Sequence, residues 1–149
     1  MKLTSLESDF QSVVQQLLMG SEIATGLKWI AYSCRRTMAE QKVIYEQDKN
    51  GKDDDGDGKI DESDEHVTNA PPGYSAHNYG LAVDCAPMIG NSIWWNAPDK
   101  VWKAYADIAV KLGMVAGYYF KSIHDAPHVE HPRWRDQQKL WKAGKVKLP

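Results

Sequence analysis

Ser75-Ala-His77-Asn-Tyr-Gly80-Leu-Ala82-Val-Asp84 is the stretch on which the fold turns. From 80 to 86 (GLAVDCA) it alternates in the two-residue period of a strand. A histidine enters that strand and an acid lies inside it, so both are tied to an ordered element. Just upstream, Asn69-Ala-Pro-Pro-Gly73 is turn chemistry. Before that turn, residues 48–66 are acidic and glycine-containing, which predicts a long loop.

Working outward, Thr37-x-x-Glu40 is a capping box that predicts a helix to about residue 47. Residues 28–34 (KWIAYSC) read as a strand. A second box, Thr4-x-x-Glu7, precedes Phe10, Val13, Val14, Leu17 and Leu18 at helical spacing, predicting a first helix closed by Gly20. Downstream, Pro98 suits a first helical position, and Val101, Trp102, Tyr105, Ile108 and Leu112 form an apolar face ended by Gly113. Short strands are expected at 114–119 and 128–131, then a helix over 133–143 stopped by Gly144. Helices stand first and last with short strands between and no βαβ rhythm. The fold class is therefore α+β, a single domain over 1–149 with one core.

A balance of 42% hydrophobic and 26% charged residues suits a globular domain and excludes a disordered chain. Net charge is only −2, so nucleic acid is not an expected partner. After Pro132 the chain turns basic, with Arg133, Arg135, Lys139, Lys142, Lys145 and Lys147 against Asp136. No stretch approaches the roughly 20 apolar residues of a membrane span. Residues 1–9 lack the basic and apolar regions of a signal peptide, so synthesis in a bacterial cytoplasm is expected, with action after release. Cys34 and Cys85 lie in apolar stretches and read as buried thiols, not a disulfide framework.

His66 ends the acidic loop and the other four histidines follow it, and His77 with Asp84, and His128 with Asp125 and Glu130, are pairings of metal-ligand type. Catalytic zinc takes three protein ligands and lowers the pKa of water to about 7. A carboxylate must then carry the proton to the leaving group. From residue types alone, His131 rivals His128 as a ligand and Glu130 rivals Asp125 as a base.

The string from Ser75 to Asp84 matches S-x-H-x-x-G-x-A-x-D, and Asp125-Ala-Pro-His128 matches D/E-x-x-H. Together they resemble the LAS group of zinc metallopeptidases, in its D-alanyl-D-alanine carboxypeptidase and L-alanyl-D-glutamate endopeptidase branch. The resemblance implies a hedgehog-type peptidase fold, in which a small antiparallel sheet flanked by helices carries the ligands. It implies that His77, Asp84 and His128 hold zinc and that Asp125 is the base. Ser33-Cys-Arg-Arg36-Thr37, followed by Gln41, resembles the family's strand-to-helix segment. By that match Arg36 stabilises the oxyanion, while Gln41 and Ser75 bind substrate. The resemblance runs from about Trp29 to His131. It departs at 114–120 (MVAGYYF), where the family often carries a Trp-Gly-Gly segment, and at the acidic insert.

Within that insert, residues 53–64 fit the twelve-residue calcium loop. Asp53, Asp55 and Asp57 take positions 1, 3 and 5, Gly58 position 6, and Lys59 offers its carbonyl at 7. Asp64 stands where the bidentate Glu is usual. Lying between the Arg36 and His77 segments, a calcium ion here has a regulatory or structural place.

The expected activity is that of a monomeric endolysin with zinc and calcium as cofactors and bacterial peptidoglycan as partner, cutting the L-alanyl-D-glutamate bond. A D-alanyl-D-alanine carboxypeptidase or dipeptidase with the same metal site is the alternative. A calcium-binding, wall-binding module without turnover is the reading from a different class.

Overall fold

Strand β1 (Lys28–Ser33) opens an antiparallel sheet of five strands that also contains β2 (Ala82–Ile89), β3 (Ser92–Ile93), β4 (Val115–Ala116) and β5 (His128–Glu130). The order is β1-β2-β5-β4, with β3 folding back onto β2 as a hairpin. Helices α1 (Ser8–Thr25), α2 (Met38–Tyr45), α3 (Asp99–Lys111) and α4 (Trp134–Lys142) surround it. This computed structural model describes residues 3–61, 63 and 66–149.

The core forms where α1 and α3 meet the sheet. Phe10, Val14 and Leu17 of α1 are fully buried at helical spacing. Tyr105 of α3 stacks on Trp29 of β1 at 4.7 Å, and Trp102 meets that indole edge-on at 5.8 Å. Cys34 and Cys85 are buried free thiols, as their apolar setting implied. No helix among the described residues is long and apolar enough to cross a membrane.

The Thr37 capping box forms in full. The Thr4 box does not. The chain starts with a 3-10 turn at Leu3–Ser5, and the Glu7 amide donates to the Gly80 carbonyl, a tertiary bond in place of a local cap. Gly20 does not end α1 either. It lies inside the helix, where a Cβ would sit 3.2 Å from Ile108, so it permits the close approach of α3. The helix stops at Gly26, whose φ of 68° closes it in the left-handed region. The strand expected over 114–119 is only Val115–Ala116, followed by a 3-10 turn.

Two irregularities prepare the site. A register shift between Ala31 and Ser33 sets Ser33 opposite Asp84. On the other side of β2, Asp84 faces His128 of β5 directly. Neighbouring strands thus bring together residues 44 positions apart in sequence.

Candidate active site

His77 belongs to the 3-10 turn Ala76–Tyr79, begun by Ser75 and closed by Gly80 at φ 70°. That turn delivers the ring to the start of β2. His77 Nδ1 lies 2.6 Å from the Cys34 carbonyl. A carbonyl only accepts, so Nδ1 carries the proton and Nε2 presents a lone pair. That Nε2 stands 3.3 Å from Asp84 Oδ2. His128 Nδ1 stands 3.2 Å from Asp84 Oδ1, and its Nε2 lies 2.8 Å from Glu130 Oε2.

Donors about 2.1 Å from a tetrahedral ion stand roughly 3.4 Å apart. The ligand atoms of His77, Asp84 and His128 lie within 4.8 Å of one another, with two separations near that value. Three acceptors converge with both far ring nitrogens already tied off, which is the donor set a zinc ion fits. The electrostatics favour positive charge at this point, and a zinc ion would have to displace the proton that the acids hold on His128. Burial works against charge on His128, but Asp84 and Glu130 outweigh it and hold the ring up at about 10. Burial would raise Asp84, yet His77 and His128 keep its carboxyl well below the usual range.

The sequence-expected residues fall into two groups. Arg36, Ser75, His77, Asp84, Asp125 and His128 line one cleft of about 630 Å³. Arg36 has its guanidinium 3.8 Å from Asp84, while its backbone N–H donates to the His77 carbonyl. Burial lowers its pKa against the pull of Asp84. Asp125 is open to solvent at the cleft, but enough protein surrounds its carboxyl that desolvation raises its pKa. Arg35 is outside the cleft, near Gly80 and Ser5.

Gln41 departs from its expected role. It is fully buried and absent from the cleft wall, with Oε1 accepting from Arg36 at 2.8 Å and Nε2 donating to the Ala70 carbonyl at 2.7 Å. Both polar atoms of its side chain already have protein partners. His131 packs edge-on against Phe10, and its Nδ1 accepts from the Arg133 amide, so it faces away from the other ligands. Glu130 spends its two oxygens on His128 Nε2 and Trp134 Nε1. His131 is thereby turned away, whereas Glu130 lines the cleft with both of its oxygens already engaged.

Glycine 117 went unread. A Cβ there would stand 2.3 Å from the Asp125 carbonyl and 2.9 Å from His128 Cβ. The Asp125 amide donates to the Gly117 carbonyl at 2.9 Å. The departure from the family pattern at 114–120 thus still contains a glycine against which the loop of the acid closes.

In the insert, Asp53, Asp55 and Asp57 come together within 4.8 Å and are exposed. Asp53 accepts from the amides of Gly56 and Gly58, Asp55 from Asp57, and Asp57 from Lys59. The position assigned to Asp64 lies outside the described residues.

Comparison with known proteins places this arrangement in a group. A family profile described as D-alanyl-D-alanine carboxypeptidase matches residues 68–131. The peptidoglycan L-alanyl-D-glutamate endopeptidase CwlK of Bacillus subtilis (strain 168) is 31% identical over 134 residues, covering 83% of this chain and 74% of that protein. Among solved structures, the Serratia marcescens L-Ala D-Glu endopeptidase ChiX superposes with a TM-score of 0.55 at 18% identity, over 91% of this chain and 86% of its own. A zinc-bound mutant of the vancomycin-resistance D,D-pentapeptidase VanY gives 0.61 at 19% identity, over 93% and 79%. At such identities the superpositions speak for the fold.

Proposed function

This chain belongs to the LAS-type peptidase family, and from that premise we propose that it is a zinc endopeptidase cutting the L-alanyl-D-glutamate bond of peptidoglycan stem peptides. The observation that carries the zinc reading is the convergence of His77 Nε2, His128 Nδ1 and the Asp84 carboxylate, each ring fixed through its other nitrogen. Zinc held there supplies a Lewis acid and acidifies water to a pKa of about 7.

The chain's own groups do the rest. Asp125 takes the proton of the attacking water and returns it to the leaving amine. A carboxyl raised by desolvation is suited to that two-way transfer. Arg36 faces the cleft as a fixed cation, where the carbonyl oxygen gains charge as the water oxygen bonds to carbon and the C=O π bond opens, and loses it as the C–N bond breaks. Ser75, on the cleft wall, contacts the bound peptide.

The choice of bond follows the CwlK relative, and an endolysin role in wall lysis is part of the same proposal. The family profile's description favours a second reading, release of terminal D-alanine. Digestion of purified peptidoglycan with mapping of new termini decides between them. Fresh D-glutamate α-amino groups are expected. Free D-alanine without them would reverse the assignment.

The insert extends the proposal. Asp53, Asp55, Asp57 and the Lys59 carbonyl, with Asp64, form a calcium site that modulates the enzyme, supported by the three converging carboxylates and their loop spacing. Zinc-loaded enzyme is expected to be more active in millimolar calcium than with a calcium-selective chelator. Equal rates would leave the insert without a regulatory part.

A further inference from the structure

Three buried amide side chains, unused by the hydrolytic reading, converge on one short piece of backbone. Gln41 is 0%, Asn78 1% and Gln138 7% exposed. Gln41 Nε2 donates to the Ala70 carbonyl at 2.7 Å, and Gln138 Nε2 to the Gly73 carbonyl at 3.0 Å. Asn78 Oδ1 accepts from the Gly73 amide at 3.0 Å. Residues 70–73 are the arm by which the chain returns from the acidic insert toward His77.

If these positions only filled volume, apolar side chains would serve without the cost of burying an amide. Instead, two of the three also grip Arg36. Gln41 Oε1 accepts from Arg36 NH1 at 2.8 Å, and Asn78 Nδ2 donates to the Arg36 carbonyl at 2.9 Å. The Gln41 amide has one orientation that works, because guanidinium only donates and a carbonyl only accepts. Arg36 is therefore held on three sides: by Gln41, by Asp84 at 3.8 Å, and at its backbone by His77 and Asn78.

We infer that Gln41 is a positioning residue, joining the return arm of the acidic insert at Ala70 to the guanidinium of Arg36. One side chain is thereby bonded at once to the arm and to the cation in the cleft. Residues 67–70 also line that cleft, so the insert reaches the substrate by one short wall and reaches Arg36 through one side chain. This rests on the peptidase reading of Arg36.

Two variants separate the links. Gln41→Met is close in volume and makes neither bond, whereas Gln41→Glu keeps an acceptor for Arg36 and loses the donor to Ala70. The first readout is ¹⁵N relaxation of the Arg36 side chain in metal-free protein. It is expected to be ordered in wild type and Gln41→Glu and mobile in Gln41→Met, with faster amide exchange over 70–73 in both variants. The second is hydrolysis of a soluble stem peptide by zinc-loaded protein. Gln41→Met should lose kcat on the order of tenfold, as for a missing bond to a charged group, with KM little changed. That loss should vanish in an Arg36→Met background.

An Arg36 side chain equally ordered in Gln41→Met, or an undiminished kcat loss in the double variant, overturns the inference and leaves a packing role. If Gln41→Met does not fold, a mobile Arg36 in Gln41→Glu overturns it, and an ordered one with a loosened arm supports it. Wild-type activity indifferent to Arg36→Met sinks the peptidase reading of Arg36 instead, while the relaxation arm still decides whether Gln41 holds it.

Discussion

The metal centre and the acidic insert each draw three ionisable side chains together, but they hold them by opposite means. At the centre, two of the fixing contacts span the fold, His77 to Cys34 across 43 residues and His128 to Asp84 across 44, beside the local bond from His128 to Glu130. In the insert, Asp53, Asp55 and Asp57 accept from amides no more than five residues away. The centre is therefore set by the core and inherits its rigidity, while the insert's geometry is local and exposed. Buried charges in low dielectric interact strongly, and exposed ones weakly and under salt screening. A first metal fits a frame already made; a second must organise its own loop.

The sharpest way to break this contrast is at the centre. His128→Ala removes one of three ligands and is expected to abolish both bound zinc and hydrolysis. Asp125→Ala should keep its zinc and lose about 10²- to 10⁴-fold in rate, the usual contribution of acid–base catalysis. Metal analysis beside the peptidoglycan digest reads both. Zinc retained in His128→Ala would mean that the donor set is wrong.

Next in size is Glu130. Its carboxylate accepts from His128 Nε2 and so keeps Nδ1 free to face Asp84. Glu130→Ala is expected to weaken zinc roughly 10- to 100-fold, measured by chelator competition, with Glu130→Gln between it and wild type because an amide oxygen still accepts. Unchanged affinity in Glu130→Ala would show that the sheet alone orients the ring.

Much of the centre was legible in sequence because its motif coincides with its elements. Ser75 starts the turn, Gly80 closes it, and Asp84 sits in the strand. The choice of His128 over His131 needed space as well as spacing, since only the fold shows His131 against Phe10. The two capping boxes teach the same lesson. Thr37 and Thr4 carry one local pattern, but a tertiary bond from Glu7 to Gly80 takes the place of the second. Gly20 looked like a stop and is a contact point for Ile108. Gln41, Glu130 and Gly117 meet partners that only the folded chain brings to them, which no pattern in the chain announces.

At the insert, the expected effects are smaller and confined. Asp53 accepts from two loop amides and stands at the first position of the proposed calcium loop. Asp53→Ala should weaken calcium binding at least about tenfold, as loss of a ligand charge does, and leave zinc content unchanged. Calorimetry with calcium alone, on zinc-loaded protein, measures it. A fall in zinc content would mean that the two regions are less separate than their contacts suggest.

The smallest effect lies at the neck of the insert, where His66 bridges Asp48 and Asn69 at 2.7 Å each. The hydrogen bond to Asp48 raises the histidine above its ordinary 6.5, and the same bond lowers Asp48 below 3.8. Their shared contribution to closure is therefore complete only between those ordinary values. It fades as pH rises through the elevated pKa of His66, and again as pH falls through the depressed pKa of Asp48. Both groups meet solvent, so the effect on stability is slight and salt should erode it. An NMR titration of His66 is expected to give a midpoint above 6.5 at low salt that drops toward it as salt is added. In metal-free protein, His128 should hold near 10 throughout, because burial opposes its charge but also shields Asp84 and Glu130, which sustain it, from salt. If the two histidines respond to salt alike, the difference in dielectric between the regions does not exist, and the contrast would rest on chain connectivity alone.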